Sequence, residues 1–440
     1  MGVNLYDQKC GQRGSDQETS GSLSLTHFLF TEPSFLCRGG CHGDGEQLLG
    51  ACRLESNVRY NHDGEAHNLE VFGQGEALLQ GSVLEDLEDR LHFFIEGYLQ
   101  GFQVLCDLAD GFSGLGSKVT EMLQDSYGGR GILSWELAPV SHPDTVSDER
   151  ELYHLLNYSL GMVHMANNSS FVCLLTLKGG LGGRPMSDNP RNVYFCLLHP
   201  SLWYHSSSVL ALALDSLIVP RLRYNSASMW EFAEALAVSG RKESAYGALP
   251  FPMAQGSSLP DTLGDCANTL LWKPLSACPE QGDELQSLVS QLRPGMQPPT
   301  PLHSLDCRED VLASYINAHY PATPCSVQLV SSPSKLTPPF PQIFSQSLGP
   351  QGFLQSQAHP PQLCPSLLLR VHTSLHSSPA LGPWLLELQR GASALDPRRI
   401  APSFLSRGTE LADFQESRKQ LGLLVRCYPV PLSTSSTEMD

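Results

Sequence analysis

One stretch, residues 99–116, constrains the fold more than any other part of this 440-residue chain. It opens with an apolar run at 102–108, which is long enough for one buried strand. It closes on glycines at positions 111, 114 and 116, and the residues after them have helical spacing. Strand, glycine-rich turn and helix in this order point backbone N–H groups and the positive end of a helix dipole at a bound phosphate. Phosphate binding is therefore one interpretation, and a tight turn that needs small residues for close packing is the other.

Helices and strands alternate around this stretch. Ser82 and Glu85 form a capping box, which predicts a helix over 82–96. Further elements are predicted at 132–137 (strand), 155–165 (helix) and 171–177 (strand). Strands that alternate with helices form parallel sheets covered on both faces, so the predicted fold class is α/β.

The charge balance of the chain limits its partners. It carries 28 Lys and Arg residues against 45 Asp and Glu residues, a net charge of −17. A general nucleic-acid binder needs basic surface to neutralise phosphates, and a protein that docks electrostatically on anionic lipid needs the same. We therefore expect no nucleic-acid partner. The sequence contains no run of 18 apolar residues, so no membrane-spanning helix is predicted either.

Thirteen cysteines are scattered through the chain without the spacing of a disulfide framework, which indicates reduced thiols and a cytosolic location. Four residues near the N-terminus could in principle hold zinc: Cys37, Cys41, His42 and Cys52. Their spacing is not that of a zinc finger, so we expect free thiols in a loop and predict no metal site. The Asn-His-Asp run at 61–63 is interpreted as turn residues rather than as a catalytic or metal cluster.

Two helical patterns lie near the C-terminus. Trp384 and Leu388 belong to a short one, and a longer amphipathic one includes Leu411, Phe414 and Leu421. The polar face of the longer pattern carries few basic residues. We therefore expect it to pack on the body of the protein rather than on a membrane surface.

Residues 99–116 resemble the strand and phosphate loop of the tubulins, whose loop reads Gly-Gly-Gly-Thr-Gly-Ser-Gly. The aligned loop of this chain is Asp110, Gly111, Phe112, Ser113, Gly114, Leu115 and Gly116. The variant turn Asp-Gly-Phe-Ser-Gly is similar to that of the Misato family, a divergent branch of the tubulin/FtsZ-like proteins. Other similar stretches are Tyr-Asn-His-Asp-Gly-Glu-Ala at 60–66, Phe-Gly-Gln-Gly-Glu at 72–76, Leu-Glu-Asp-Arg-Leu-His-Phe at 87–93 and Pro-Phe-Pro at 250–252.

The resemblance implies a tubulin/FtsZ-like parallel sheet with helices on both faces. Tubulin-like chains begin with a hydrophobic strand and a first nucleotide loop rich in Gly and Gln. Neither is visible here, so we expect a sheet that is incomplete at the N-terminus. The implied organisation is an atypical, poorly ordered N-terminal segment at 1–57, a nucleotide-domain remnant at 58–250, a smaller α+β region with Pro- and Ser-rich loops at 251–365, and a C-terminal helical region and tail at 366–440.

The resemblance also implies a candidate cofactor site, a degenerate phosphate loop. Its residues are Asp110, Gly111, Ser113, Gly114 and Gly116. Asp110 departs from the tubulin pattern and would place a carboxylate beside a phosphate, where like charges repel. Phe112 departs as well and would add bulk where the backbone approaches the ligand. We therefore expect no bound cofactor, with GTP as the open alternative.

Further contacts that read and hydrolyse the nucleotide in tubulins are also changed. The guanine-binding Asn falls on Leu175 or Thr176, and a second base contact falls near Ser228, whereas Tyr224 matches the remaining one. Of the acidic loop that acts across the filament contact, Glu243 is the only carboxylate left. We therefore predict no catalytic residues and no enzyme activity.

Resemblance to the Misato family implies a non-enzymatic regulator of mitochondrial distribution and morphology that acts from the cytosol and the outer mitochondrial membrane. It implies protein partners on that membrane, with tubulin and the cytosolic chaperonin that folds it as further candidates. The alternative is a GTP-binding GTPase that self-assembles as tubulin does, or a chaperonin-linked factor in microtubule assembly.

Overall fold

The fold is taken from a computed structural model of the chain. It describes residues 2–7, 51–52, 69–95, 99–140, 148–177, 181, 202–224, 229–236, 243–249, 260, 273–275, 301–319, 334–336, 340–344, 368–369, 371, 373–377, 379 and 381–428. Of the sequence predictions, the zinc candidates Cys37, Cys41 and His42, the run at 61–63, the Pro-Phe-Pro run at 250–252 and Ser228 lie outside the described residues.

The described strands are, in chain order, β1 (Gly2–Asp7), β2 (Ala51–Cys52), β3 (Leu99–Asp107), β4 (Gly131–Leu137), β5 (Phe171–Leu175), β6 (Glu243–Leu249), β7 (Lys273–Pro274), β8 (Ser334–Lys335), β9 (Leu368–Leu369) and β10 (Ser374–His376). The described α-helices are α1 (Phe72–Leu78), α2 (Ser82–Ile95), α3 (Phe112–Tyr127), α4 (Asp148–Asn168), α5 (Trp203–Tyr224), α6 (Met229–Leu236), α7 (Arg308–His319), α8 (Leu381–Ala394), α9 (Pro397–Ile400), α10 (Pro402–Ser406) and α11 (Leu411–Cys427).

A mixed sheet with a parallel centre organises the fold. Its strand order is β10-β6-β5-β4-β3-β1-β2, with β7 also paired to β6. The strands from β3 to β6 run parallel, and Trp135 of β4 lies between Leu105 of β3 and Cys173 of β5. The predicted α/β class and its parallel strands are confirmed.

Antiparallel strands flank the parallel centre on both sides, and the sequence did not predict them. β1 pairs antiparallel with β3, and β7 and β10 pair antiparallel with β6. β2 and β7 contain two residues each, which is too short for any hydrophobic period to show. β1 lies within the segment 1–57, for which the sequence predicts poor order and no first strand, but it pairs with β3, so that prediction is wrong for Gly2–Asp7. That expectation for the other residues, like the division into four segments, stays a prediction.

One face of the sheet is covered by α3 and α4. Phe102, Val104 and Cys106 alternate along β3 and share one core with Val119 and Leu123 of α3. The predicted helix at 82–96 is present as α2, which adds buried leucines to the same core. The glycine-rich turn between β3 and α3 is thus anchored on both sides by buried elements.

The opposite face of the sheet is covered by α5 and α6. Trp135 and Phe171 point to this side, with their rings 5.1 Å apart and nearly perpendicular. Leu210 and Leu214 of α5 and Met229 of α6 belong to the core that these rings form. Helices therefore lie on both faces of the sheet, as the alternation of strands and helices predicts.

The C-terminal helices belong to the body of the protein. Trp384 and Leu388 of α8 and Leu421 of α11 lie in the same core as β3 and α3. The amphipathic C-terminal helix therefore packs on the body, which confirms that prediction. No helix in the described ranges is long and apolar enough to cross a membrane.

Candidate functional site

The glycine-rich turn lies at the carboxyl end of β3, the edge of a parallel sheet where open α/β folds usually bind their ligands. β3 ends at Asp107, and α3 begins at Phe112 with Gly111 as its N-cap residue. Of the five predicted site residues, Asp110, Gly111, Ser113 and Gly114 come together at this helix start. Gly116 is also in the first turns of α3, where it faces β3.

The backbone N–H groups of this turn already have acceptors within the chain. Phe112 N–H donates to Asp110 Oδ1 at 2.9 Å, and Ser113 N–H donates to the Asp110 carbonyl oxygen at 3.0 Å. The N–H groups of Gly114 and Leu115 both donate to the Gly111 carbonyl oxygen, at 3.1 and 3.2 Å. The first N–H groups of a helix ordinarily lack partners within it and are free to bind an anion. Here the turn itself satisfies them.

Asp110 is the residue that closes the turn. Its carboxyl group accepts the Phe112 N–H, which a bound phosphate would need as a donor. Burial raises the pKa of Asp110 well above its usual range, and the neighbouring carboxylate of Asp107 raises it further. The Phe112 hydrogen bond and the positive charge of Arg150 act in the opposite direction. A phosphate at this place would add another negative charge where solvation is already poor.

The glycines of the turn are required by close packing of the protein on itself. A Cβ on Gly111 would lie 2.6 Å from Leu69 Cγ and 2.7 Å from the Val71 carbonyl oxygen. A Cβ on Gly114 would overlap the carbonyl oxygen of Phe72, and one on Gly116 would overlap Cys106 Sγ. α1 and the residues before it therefore lie directly against the turn. The phosphate-binding role of these glycines stays a prediction.

Ser113, which replaces threonine of the tubulin loop, is turned into the protein. Its side chain is fully buried, and its hydroxyl donates to the Asp110 carbonyl oxygen at 2.7 Å. Its own carbonyl oxygen accepts a hydrogen bond from the Ser117 hydroxyl at 2.8 Å. The hydroxyl therefore stabilises the turn.

Leu175 and Thr176 are the positions that align with the guanine-binding Asn of tubulins. Leu175 is buried in the core, and the Thr176 hydroxyl donates to the Ala138 carbonyl oxygen at 2.5 Å. Neither presents the amide that reads guanine in tubulins. Tyr224 ends α5 and Glu243 begins β6, but their side chains are outside what the structure describes.

Asn157 is a key residue of the site that sequence reasoning did not identify. It lies in the middle of α4 with no exposed surface. Its Nδ2 donates to the carbonyl oxygens of Glu70 and Ala109 at 2.8 and 2.9 Å, and its Oδ1 accepts the Phe72 N–H at 2.9 Å. This side chain ties α1 and the turn to α4. A lone amide within the apolar pattern of α4 is the signal that could have indicated it.

Glu136 is a second residue that sequence reasoning missed. It lies near the end of β4, beside Cys106 of β3 and Leu174 of β5, and its side chain is fully buried. Neither carboxyl oxygen has a hydrogen-bond partner within the described part of the chain. Burial raises the pKa of Glu136 to about 8. A charged residue within an apolar strand was the available signal.

No cluster of three or more His, Cys, Asp or Glu side chains suited to a metal ion occurs among the residues for which the structure gives positions. Of the four zinc candidates, only Cys52 has a described backbone, in β2.

A scan against models of known protein families found no match. Individual relatives are nevertheless clear. The chain is 59% identical over 404 residues to "Protein misato homolog 1" of Danio rerio. The alignment covers 87% of this chain and 68% of that relative. It is 42% identical over 388 residues to "Protein misato homolog 1" of Homo sapiens, covering 84% of this chain and 67% of the relative.

A more distant relative extends the comparison to insects. "Protein misato" of Drosophila melanogaster is 27% identical over 317 residues, which cover 66% of this chain and 54% of that protein. The alignments with the vertebrate proteins extend over most of the chain. The chain is a member of the Misato family.

Proposed function

We propose that this chain is a non-enzymatic, tubulin-like regulator of mitochondrial distribution and morphology, acting from the cytosol and the outer mitochondrial membrane. Membership of the Misato family supports a role of the Misato type. The mitochondrial role follows from the resemblance of the turn and its neighbouring stretches to that family.

One observation carries the non-enzymatic part of the proposal. The N–H groups at the start of α3 have acceptors within the turn, and Asp110 supplies two of these acceptors. A nucleotide phosphate would have to displace hydrogen bonds that the turn already makes, in a place where a carboxyl group is poorly solvated. Loss of a hydrogen bond to a buried group costs about 1–3 kcal/mol. This cost favours a scaffold that binds other proteins.

The tubulin-like part of the proposal is supported by the arrangement of elements. A parallel strand, a glycine turn at its carboxyl end and a helix follow one another in the order that the tubulin resemblance implies. Parallel strands and crossover helices alone are shared by many unrelated proteins, so the turn is the more specific support.

Protein partners are proposed as the means of attachment to the outer mitochondrial membrane. The net charge of −17 opposes direct binding to anionic lipid, which attracts basic segments. Tubulin and the cytosolic chaperonin are the further candidates for binding.

Cells depleted of their own Misato protein test the mitochondrial role. Expression of this chain is expected to restore the distribution and shape of the mitochondrial network. Asp110→Asn should restore it equally, because an amide oxygen still accepts the Phe112 N–H. Failure of the unaltered chain, when expressed at the level of the natural protein, would contradict the role.

The GTPase alternative makes a different prediction for the purified chain. A self-assembling GTPase would release phosphate from GTP, and its sedimentation would change when GTP is added. We expect neither result. GTP-dependent sedimentation together with phosphate release would favour the alternative, whatever the outcome in cells.

A further inference from the structure

A short C-terminal segment crosses α1 and connects it to α4. We call residues 401–414, from the end of α9 through α10 into the first turn of α11, the C-terminal strap. Arg407 Nη1 of the strap lies 2.7 Å from Glu70 Oε2, in an ion pair. The Gly73 N–H of α1 donates to Thr409 Oγ1 at 3.0 Å. The strap therefore bonds directly to the segment that lies against the glycine turn.

Aromatic side chains of the strap are buried against α1 and the residue before it. Phe404 and Phe414 of the strap are buried with Val71 and Phe72 in one small core. The Phe404 ring also lies 5.6 Å from that of Tyr153 on α4. The strap thus closes a core that includes α1 and α4.

Backbone meets backbone where the strap passes α1. A Cβ on Gly73 would overlap the backbone N of Thr409, so no larger residue fits there without movement. Gly408 has a φ of +110°, a conformation that residues with a side chain rarely adopt. The backbones of the strap and of α1 are therefore in direct contact at this crossing.

α1 in turn covers the glycine turn of the candidate site. The Gly111 N–H donates to the Leu69 carbonyl oxygen at 2.9 Å, and a Cβ on Gly75 would overlap the Gly111 carbonyl oxygen. Movement of α1 would uncover Gly111. A continuous set of contacts therefore joins the strap to the turn.

Charged groups from four helices meet at this junction. Glu76 of α1 is near Asp413 of α11, and burial together with Asp413 raises the pKa of Glu76 to about 7. Lys118 and Glu121 of α3 also act on Glu76, but they are bonded to each other at 2.7 Å. Lys118 lowers the pKa of Glu76 and Glu121 raises it, but burial and Asp413 outweigh both, so the charged form of Glu76 is disfavoured at this junction.

His164 of α4 completes the set of titratable groups at the junction. Its ring lies 5.2 Å from that of Phe72, and burial lowers its pKa from 6.5. Because burial lowers the pKa of His164, this histidine makes docking of α1 more favourable as pH rises, so a loosening of the junction with rising pH belongs to Glu76.

We propose that the C-terminal strap is a latch that holds α1 over the glycine turn and that ionisation of Glu76 loosens it. Glu76 binds its proton more tightly when α1 is docked than when it is released. A raised carboxyl pKa adds stability to the docked state at low pH, and this contribution is lost as pH rises from about 4.5 to about 7. The docked state of α1 is therefore more stable below neutral pH than above it, whether or not the turn binds any ligand.

Hydrogen exchange of backbone amides in the full chain measures the latch. Thr409→Val keeps the shape of the side chain and removes the acceptor of the Gly73 N–H, and Arg407→Ala removes the ion pair to Glu70. Thr409→Val is expected to lower the protection factors of α1 and of Gly111 by about threefold or more, and Arg407→Ala, whose ion pair is partly exposed, by about twofold, with no change in β4. Arg399→Ala removes an exposed charge nearby and serves as the control.

The pH dependence is tested with the same readout. From about pH 5 to about pH 7.5, protection of α1 relative to β4 is expected to fall by about threefold or more, with allowance made for the partial exposure of Glu76. Glu76→Gln should abolish this fall, whereas Glu416→Gln on the exposed side of α11 should leave it intact. A fall that persists in Glu76→Gln, or unchanged protection of α1 in both strap variants, would overturn the proposal.

Discussion

Two polar side chains near the end of β3, Asn157 and Glu136, are fully buried and differ in their hydrogen-bond partners. Asn157 makes three hydrogen bonds to backbone groups and so holds α1 and the turn in place. Glu136 makes none within the described residues, so burial of its carboxyl group costs free energy that nothing nearby offsets. Sequence shows both as polar residues within apolar patterns. It does not show which buried polar residue finds partners, because those partners lie on other elements.

Glu136→Gln is expected to stabilise the protein at alkaline pH. The folded chain raises the pKa of Glu136 from 4.5 to about 8, so between these values it binds more protons than the unfolded chain does. The free energy of unfolding therefore falls as pH rises through this window. The variant should gain about 2–4 kcal/mol at pH 8 and little at pH 5.

Urea denaturation at the two pH values measures this difference. Glu88→Gln on the exposed face of α2 is the control and should change stability by less than about 0.5 kcal/mol at either pH. Equal effects of Glu136→Gln at both pH values would show that unfolding does not change the pKa of Glu136, and would contradict the prediction.

At the scale of elements, the strands and helices around the turn could be predicted from sequence. β3 and β4 are largely apolar over seven residues or more, and α3 and α4 repeat apolar residues with helical spacing, which makes these elements visible in a single chain. The cover of the turn could not be predicted. α1 is only seven residues long, and its contact with Gly111 and Gly114 depends on packing between segments that are distant in sequence.

Gly114→Ala is expected to destabilise the packing of α1 on α3. The added Cβ would overlap the Phe72 carbonyl oxygen, which is backbone and cannot rotate away. We expect a loss of about 2–4 kcal/mol in the free energy of unfolding, measured by denaturant titration. A larger residue such as valine would act in the same way, so its effect on nucleotide binding would not by itself identify a phosphate site.

Gly129→Ala is the matched control for this prediction. Among the residues whose positions the structure gives, none beyond the chain neighbours lies within 4 Å of the added Cβ, so stability should change by less than about 0.5 kcal/mol. An equally small change for Gly114→Ala would contradict the close packing of α1 against the turn.

At the scale of the whole molecule, the C-terminal helices share the core of the sheet. Leu421 of α11 and Trp384 of α8 are buried with residues of β3 and α3. The amphipathic pattern of α11 predicted which side of the helix is apolar. It could not indicate that this side joins the central core, since the same pattern fits any apolar surface.

Leu421→Ala is therefore expected to destabilise the sheet as well as its own helix. Loss of a fully buried leucine side chain should lower the free energy of unfolding by about 2–5 kcal/mol. Hydrogen exchange should show β4 and α8 losing protection together. Leu423→Ala on the same helix is the control, because that side chain is 58% exposed.

Calorimetric titration of GTP with Mg²⁺ into the purified full chain measures whether the turn binds a nucleotide, with tubulin as the positive control. We expect no binding, since the turn after β3 satisfies its own N–H groups and the Asp110 carboxyl group already accepts the Phe112 N–H. Asp110→Asn should not create binding, because its amide oxygen still accepts the Phe112 N–H. Micromolar affinity for GTP in the unaltered chain would contradict the account and return the protein to the nucleotide-binding tubulin-like proteins.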